Sequence, residues 1–370
     1  MYSHSKLAKK VKVRSDNSDG IVLALEHKGF CAALLKGKTT SRYSQSMSDF
    51  SPLISKCSIA WIDYVVEDFT KEAPKIAEQI GFSSLLVKNI TKNIRSGYED
   101  FNNEMGLLIP AIHVENFDVK LDPLLILIRK NLILTIHTSG TKRFFRVRRY
   151  AETLLRKLPS KMMQKDKLTL LLIRILDENN ARNFDYLQVI EEQGDQISQE
   201  LSDHTASRKE MGNRIYQMKH ALTVYLLGLW ATVDAFNSLR YGDADLLTDN
   251  QKIIGRLTGL VGEVHSQIGL AEHLSDVLAS GLEVLQSIYN NQLQILNNQL
   301  AMAVAYMTIL GTALLVPNTI ATVMASPVFD LSPQDFDWYV ALIVISTIVS
   351  TFVAWFAVDK MGLLPRKYAD

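Results

Sequence analysis

Two charge-free runs near the C-terminal end constrain this chain more than any other feature. Residues 284–329 contain no Asp, Glu, Lys or Arg, and residues 338–358 again contain none. A helix crosses a bilayer core of about 30 Å with about 20 apolar residues. Residues 301–325 and 338–358 meet that length, which predicts two transmembrane helices joined by a loop at 326–337. A pair of buried core helices is the competing account, but two such runs side by side are uncommon in a water-soluble chain. The loop carries Asp330, Asp335 and Asp337 without a Lys or Arg, whereas Lys360, Arg366 and Lys367 follow the second run. Positive charge marks the cytoplasmic side, so both termini are expected inside the cell membrane and the acidic loop outside. Trp338, Tyr339 and Trp355 suit the interfacial aromatic belt.

Elsewhere charge is dense and mixed. The 40 Lys and Arg nearly balance the 39 Asp and Glu, which gives no reason to expect nucleic acid as a partner. The two cysteines, Cys31 and Cys57, have no metal-ligand spacing and read as free thiols of a reducing compartment. Basic residues among the first 16 are not followed by an apolar run, so no secretory signal is expected and the soluble part should be cytoplasmic.

Residues 1–165 read as a cytoplasmic α/β domain. Strands are predicted at 20–25, 59–66, 107–114 and 123–136, the last holding two strands joined at Lys130-Asn131. Residues 71–80 and 147–158 have helical spacing. No phosphate-binding, dinucleotide, zinc-protease or nucleophile-elbow motif occurs, so neither an enzyme nor an organic cofactor is expected. Long helices follow, with a cytoplasmic hairpin at 166–244 and a stalk at 245–300. Leu168, Leu172, Ile175 and Leu176 form an apolar stripe, continued by Phe184, Leu187 and Ile190. Glu178, Asp185 and Glu192, seven apart, read as a solvated acidic face. A second run covers 205–240. A third begins near Asp245 and has no proline before Pro317, so read as one helix to Ala325 it would span about 120 Å. A helix that long needs partners along its length. Residues 289–300 (YNNQLQILNNQL) are uncharged yet amide-rich, which suits a neck packed in an oligomer or a wet vestibule.

Thr308, Thr312 and Thr319 fall on one face of the first membrane helix. Ala301, Ala305, Val316 and Val323 extend that face, and Asn298 and Met302 stand at its inner end. Hydroxyls there should point at protein or water, either at a helix–helix contact near Gly311 or at a pore. Two helices per chain cannot enclose a water-filled pathway, so a pore requires a ring of chains. Pro317 should kink the helix.

With these parts in this order, the chain resembles the CorA family of divalent-cation channels over most of its length. Trp61-Ile62-Asp63 is similar to the family's WxD strand end and Thr135-Ile136-His137 to its TVH strand. Met307-Thr308 followed by Pro317 resembles its LT…P run, and residues 360–364 its basic tail. The resemblance implies a funnel-shaped homopentamer in lipid whose cargo is a divalent metal ion, Mg²⁺ or a transition metal such as Zn²⁺, Co²⁺ or Ni²⁺. The pore would be lined by Asn298, Met302, Ala305, Thr308, Thr312, Val316, Thr319 and Val323 of five chains. The family's outer Gly-Met-Asn is absent, because Ser326-Pro327-Val328 stands in its place. This puts Mg²⁺ selectivity in question and leaves a non-conducting membrane-anchored scaffold or sensor as the alternative. Regulatory metal between cytoplasmic domains is a family property. By chemistry alone its candidate ligands here are Asp245, Glu263, Glu272 and Asp276, with His265 and His273 sharing a helical face.

Overall fold

The structure is a computed structural model describing residues 27–35, 37–92, 96–115, 117–141, 143–159, 161–200, 207–241, 244–326 and 333–360. Its contacts divide the chain into two compact units, Met1–Leu282 and Glu283–Asp370.

The first unit is built on a seven-stranded sheet: β1 (Gly29–Leu35), β2 (Lys38–Ser44), β3 (Ile59–Val66), β4 (Gly97–Asp100), β5 (Glu104–Glu115), β6 (Asp118–Arg129) and β7 (Leu132–Thr138). The spatial order is β2-β1-β3-β7-β6-β5-β4. Strands β3 and β7 run parallel, and every other neighbouring pair is antiparallel. The strands expected at 59–66 and 107–114 are present, and 123–136 does divide at Lys130-Asn131. Strand β6 nevertheless starts earlier and passes through Pro123. That residue faces Pro110 in register, so both missing N–H groups fall at one pair, which a ladder tolerates where the two residues exchange no hydrogen bonds. The strand expected at 20–25 lies outside the described residues. Strands β1 and β2 were not anticipated. The first (GFCAALL) is buried along nearly its whole length and shows no alternation; the second (KTTSRYS) is a polar edge strand.

The helices are α1 (Ser51–Ile54), α2 (Phe69–Ile80), α3 (Ser84–Lys92), α4 (Arg143–Arg156), α5 (Gln164–Asn180), α6 (Asn183–Glu200), α7 (Arg208–Tyr241) and α8 (Gln251–Met324). Asp68 caps α2 by accepting from the Lys71 N–H at 3.2 Å, and Gly81 ends it at φ 92°, a left-handed conformation glycine adopts without strain. Strand alternation sorts the sheet into two faces. Ile62, Tyr64, Leu134 and Ile136 join Ala73, Ile76, Leu86 and Ile90 of α2 and α3 in one core. On the opposite face, Trp61 and His137 meet Phe144 of α4. Leu168, Leu172, Ile175, Leu176, Leu187 and Ile190 are buried as their spacing predicts, but Phe184 is 38% exposed and does not continue the stripe.

Among the described residues, three helices are apolar and long enough to cross a membrane: α7, α8 and α9 (Phe336–Lys360). More than half of the apolar window of α7 is already buried within the first unit. Its Gly228 lies against the sheet so closely that a Cβ would stand 2.7 Å from Leu121 and 3.1 Å from Ile112. Packing on β5 and β6 therefore accounts for the apolarity of α7. Helix α8 begins at Gln251, later than the Asp245 expected, because polar side chains there bind backbone N–H groups. Thr248 Oγ1 accepts from Asn250 and Asn250 Oδ1 from Lys252, each at 3.1 Å. It then runs unbroken to Met324 through Pro317, which has no N–H to give the preceding turn. The second unit holds the end of α8, a 3₁₀ turn at Pro333–Asp335, and α9.

Candidate ion pathway and its scaffold

The residues expected to line a pathway occupy the end of α8. Thr308 and Thr319 are exposed on this chain, as are Asn298, Val316 and Val323, while Met302 and Thr312 are half-buried. Ala305 differs, at 1% exposed. It belongs to a covered stripe with Pro317 and the half-buried Ile309, Ala313 and Ile320. The Thr stripe runs beside that covered face, roughly a quarter-turn away, and Leu310 and Leu314 lie on the far side, 66% and 65% exposed. On α9 the buried positions are Ser350, Ala354 and Val358, four apart, which is a small-residue stripe suited to close helix packing.

Each threonine hydroxyl on this stripe donates to its own helix. Thr308 bonds the Val304 carbonyl at 2.9 Å, Thr312 the Thr308 carbonyl at 2.8 Å, and Thr319 the Leu315 carbonyl at 2.8 Å. The donors are satisfied before any water or protein partner arrives, so a lipid-facing threonine is less costly than the sequence argument assumed. Each hydroxyl keeps acceptor lone pairs toward the exposed side. The neck amides Asn290, Asn291, Gln292, Gln294, Asn297, Asn298 and Gln299 are all exposed.

Of the three loop carboxylates, Asp330 lies outside the described residues. Asp335 accepts a hydrogen bond from the Trp338 indole at 3.0 Å, and Asp337 is exposed. Among the stalk candidates, Asp245, His265, Glu272, His273 and Asp276 are exposed and Glu263 is half-buried. Burial, with help from the Asp177 charge, pushes the Glu263 carboxyl above its ordinary range. His265 Nδ1 donates to the Val261 carbonyl at 2.8 Å, leaving Nε2 available beside Trp230. Among the described residues of one chain, no three His, Cys, Asp or Glu side chains gather into a metal site.

The motif residues Trp61, Asp63, Thr135 and His137 do converge. Parallel pairing of β3 with β7 sets Asp63 opposite Thr135, and the two-residue period puts all four on one face. The Trp61 indole donates to Thr135 Oγ1 at 3.1 Å, and Thr135 donates to Asp63 Oδ1 at 2.5 Å. His137 Nε2 lies 3.1 Å from Asp63 Oδ1 and Arg148 Nε donates to Asp63 Oδ2 at 2.7 Å, with all three side chains fully buried. The other ring nitrogen of His137 faces the Thr138 carbonyl at 2.8 Å. Both of its partners are acceptors, so the geometry calls for a proton on each nitrogen. Burial pushes the Asp63 carboxyl up, but the His137 and Arg148 charges and the hydrogen bonds from His137 and Thr135 outweigh it and hold the group well below the usual range. Arg148 was not singled out from the sequence. Its signal was its place on the apolar face of α4 with Phe144, Ala151 and Leu155. Glu178, expected on a solvated face, is buried. Arg146 pairs with it and the Tyr150 hydroxyl donates to it, each at 2.5 Å.

A helix-covered mixed sheet, a long helix leaving it, and a second membrane-length helix together make the fold of the CorA-family divalent-cation transporters. The sequence profile described as CorA-like Mg²⁺ transporter protein matches residues 57–360, and the chain belongs to that family. The complete CorA magnesium transporter of Methanocaldococcus jannaschii superposes with a TM-score of 0.63 at 18% identity, covering 88% of this chain and 96% of that one. Full-length CmaX gives 0.61 at 11% identity, over 90% and 98%. The ZntB cytoplasmic domain of Vibrio parahaemolyticus gives 0.54 at 12% identity, over 71% and 98%. At these identities the likeness is one of fold. No curated protein matches this sequence.

Proposed function

We propose that this protein is a membrane channel or transporter for a divalent metal cation, Mg²⁺ or a transition ion such as Zn²⁺, Co²⁺ or Ni²⁺. Five copies of the end of α8 line its pathway. The observation that carries this reading is the single helix α8, which passes from a charged, packed unit into a charge-free stretch whose threonine stripe is exposed at Thr308 and Thr319 and half-buried at Thr312. Helices α8 and α9 are the two spans, both termini are cytoplasmic, and the 326–337 loop is outside. The metal ion is cargo and, between cytoplasmic units, a regulatory ligand. No organic cofactor and no enzymatic step belong to this reading. Five copies of Asp330, Asp335 and Asp337 place about fifteen carboxylates at the mouth, a field that concentrates cations without fitting the hydration shell of Mg²⁺. Ser326-Pro327-Val328 supplies no side-chain amide there, so Mg²⁺ is discriminated less well than by a ring of Gly-Met-Asn.

A second reading, a non-conducting anchored scaffold or sensor, draws on that missing motif and on threonine donors already bound within the helix. Flux into liposomes holding the purified protein, measured for Mg²⁺, Zn²⁺, Co²⁺ and Ni²⁺, separates the two. Saturable uptake of at least one ion is expected. Absence of uptake for all four, or a stable monomer or dimer by mass in detergent, rejects the channel.

A further inference from the structure

A cavity of about 80 Å³ opens between the sheet and the start of α4, lined among others by His113, Asp122, Thr141, Arg143, Arg182 and Tyr186. Arg143 is 8% exposed. Its Nη2 donates to the Ile112 carbonyl, while its Nη1 is buried without any hydrogen-bond partner. The buried Thr141 hydroxyl also has none. Among the described residues, neither Arg143 nor Arg182 has a carboxylate in ion-pair contact. Buried polar groups are almost always satisfied, and a buried guanidinium with an idle donor is costly. Burial pushes Arg143 below its ordinary range, with Tyr186 and Tyr225 opposing the shift. Two cations, an idle N–H and an idle hydroxyl thus surround a space large enough for a small polyatomic group.

We propose that this cavity binds inorganic phosphate, held by Arg143, Thr141 and Arg182. The guanidinium fork matches the spacing of two oxygens on a tetrahedral oxyanion, and Tyr186 and Thr141 add hydroxyls. Asp122 decides which oxyanion. Its carboxylate repels sulfate, which has no proton to offer near neutral pH. Hydrogen phosphate keeps one proton and donates it in a hydrogen bond to Asp122. A phosphate monoester is largely a dianion there and lacks that donor. His113 is engaged with Glu115 at 3.0 Å, on the same wall.

Direct titration of the full-length protein in detergent with inorganic phosphate at neutral pH, followed by calorimetry, tests this. One saturable site per chain is expected, with sulfate and glycerol phosphate at least about tenfold weaker. Arg182 is exposed and its side chain makes no hydrogen bond or ion pair among the described residues, so Arg182→Gln should fold and should weaken phosphate about tenfold or more by removing a charge-assisted bond. Asp122→Asn should narrow the gap between phosphate and sulfate. The proposal is overturned by absence of saturable binding (a cavity filled by water only), by unchanged affinity in Arg182→Gln, or by sulfate binding as tightly as phosphate.

Discussion

Replacing Asp63 with Asn tests the buried cluster that joins β3, β7 and α4. The substitution keeps the shape but removes the charge that faces Arg148 at 2.7 Å and His137 at 3.1 Å. It also turns an acceptor into an amide that has to oppose at least one of three donors, Thr135 being the third. Both cationic side chains would remain at 0% exposure, beyond the reach of water. Breaking a buried pair in this way costs about 3–5 kcal/mol, which for a folded unit of this size lowers Tm by about 6–20 °C. Thermal unfolding of the full-length protein in detergent, followed by intrinsic fluorescence with Trp61 inside the cluster, reads it. Because the folded Asp63 carboxyl is held below its unfolded value of about 3.9, its stabilisation is complete above that pH. It is lost as pH falls through the lower, folded value, so the wild-type advantage over the variant should close only in acid. Combining Asp63→Asn with Arg148→Met should cost well below the sum of the single losses, since one interaction is removed twice. A single-variant loss under about 1 kcal/mol, or additive losses, would refute the assignment.

The close approach of α7 to the sheet gives a second test. Gly228→Leu must displace Leu121 and Ile112, so a loss of about 1–3 kcal/mol is expected in the same unfolding assay, and an unchanged Tm would contradict the packing. Cysteines at Thr308, Thr312 and Thr319 should react with water-soluble thiol reagents while those at Leu310 and Leu314 do not, and equal labelling of both faces rejects the pore assignment. That scan belongs in a Cys57→Ser background; native Cys31 can stay, because burial pushes its thiol up to about 12. Changing Asp330, Asp335 and Asp337 together to Asn should lower cation uptake most at low ionic strength, because the attraction is screened by salt. Uptake that is Mg²⁺-selective and indifferent to these changes would overturn the account of the mouth.

Where a pattern depends only on a residue's own neighbours in sequence, it could be read directly. Two charge-free runs announced α9 and the end of α8, and the apolar stripe of Leu168, Leu172, Ile175 and Leu176 announced the buried face of α5. Strands β3 and β7 were legible for the same reason, as aliphatic runs between turns. Strand β1 escaped because burial on both faces erases alternation, and β2 because an edge strand can be polar throughout. Helix α7 shows the limit from the other side. Its composition would suit a membrane, and only contact with Leu121 and Ile112 reveals that the sheet covers it. Charged positions were the least legible. Glu178 sits seven residues from Asp185 in a pattern that reads as solvated, yet Arg146 and Tyr150 from another helix enclose it. Asp63, His137 and Arg148 are 74 and 85 residues apart along the chain, and the partners of Asp63 exist only once β3 pairs with β7 and α4 lies across them. The sequence by itself therefore determined which segments avoid water and where helices and central strands run, because hydrophobic transfer and backbone periodicity act residue by residue. The tertiary structure decided which polar groups are buried, which charges are paired and which donors are left idle, because those depend on atoms that the chain brings together from far apart.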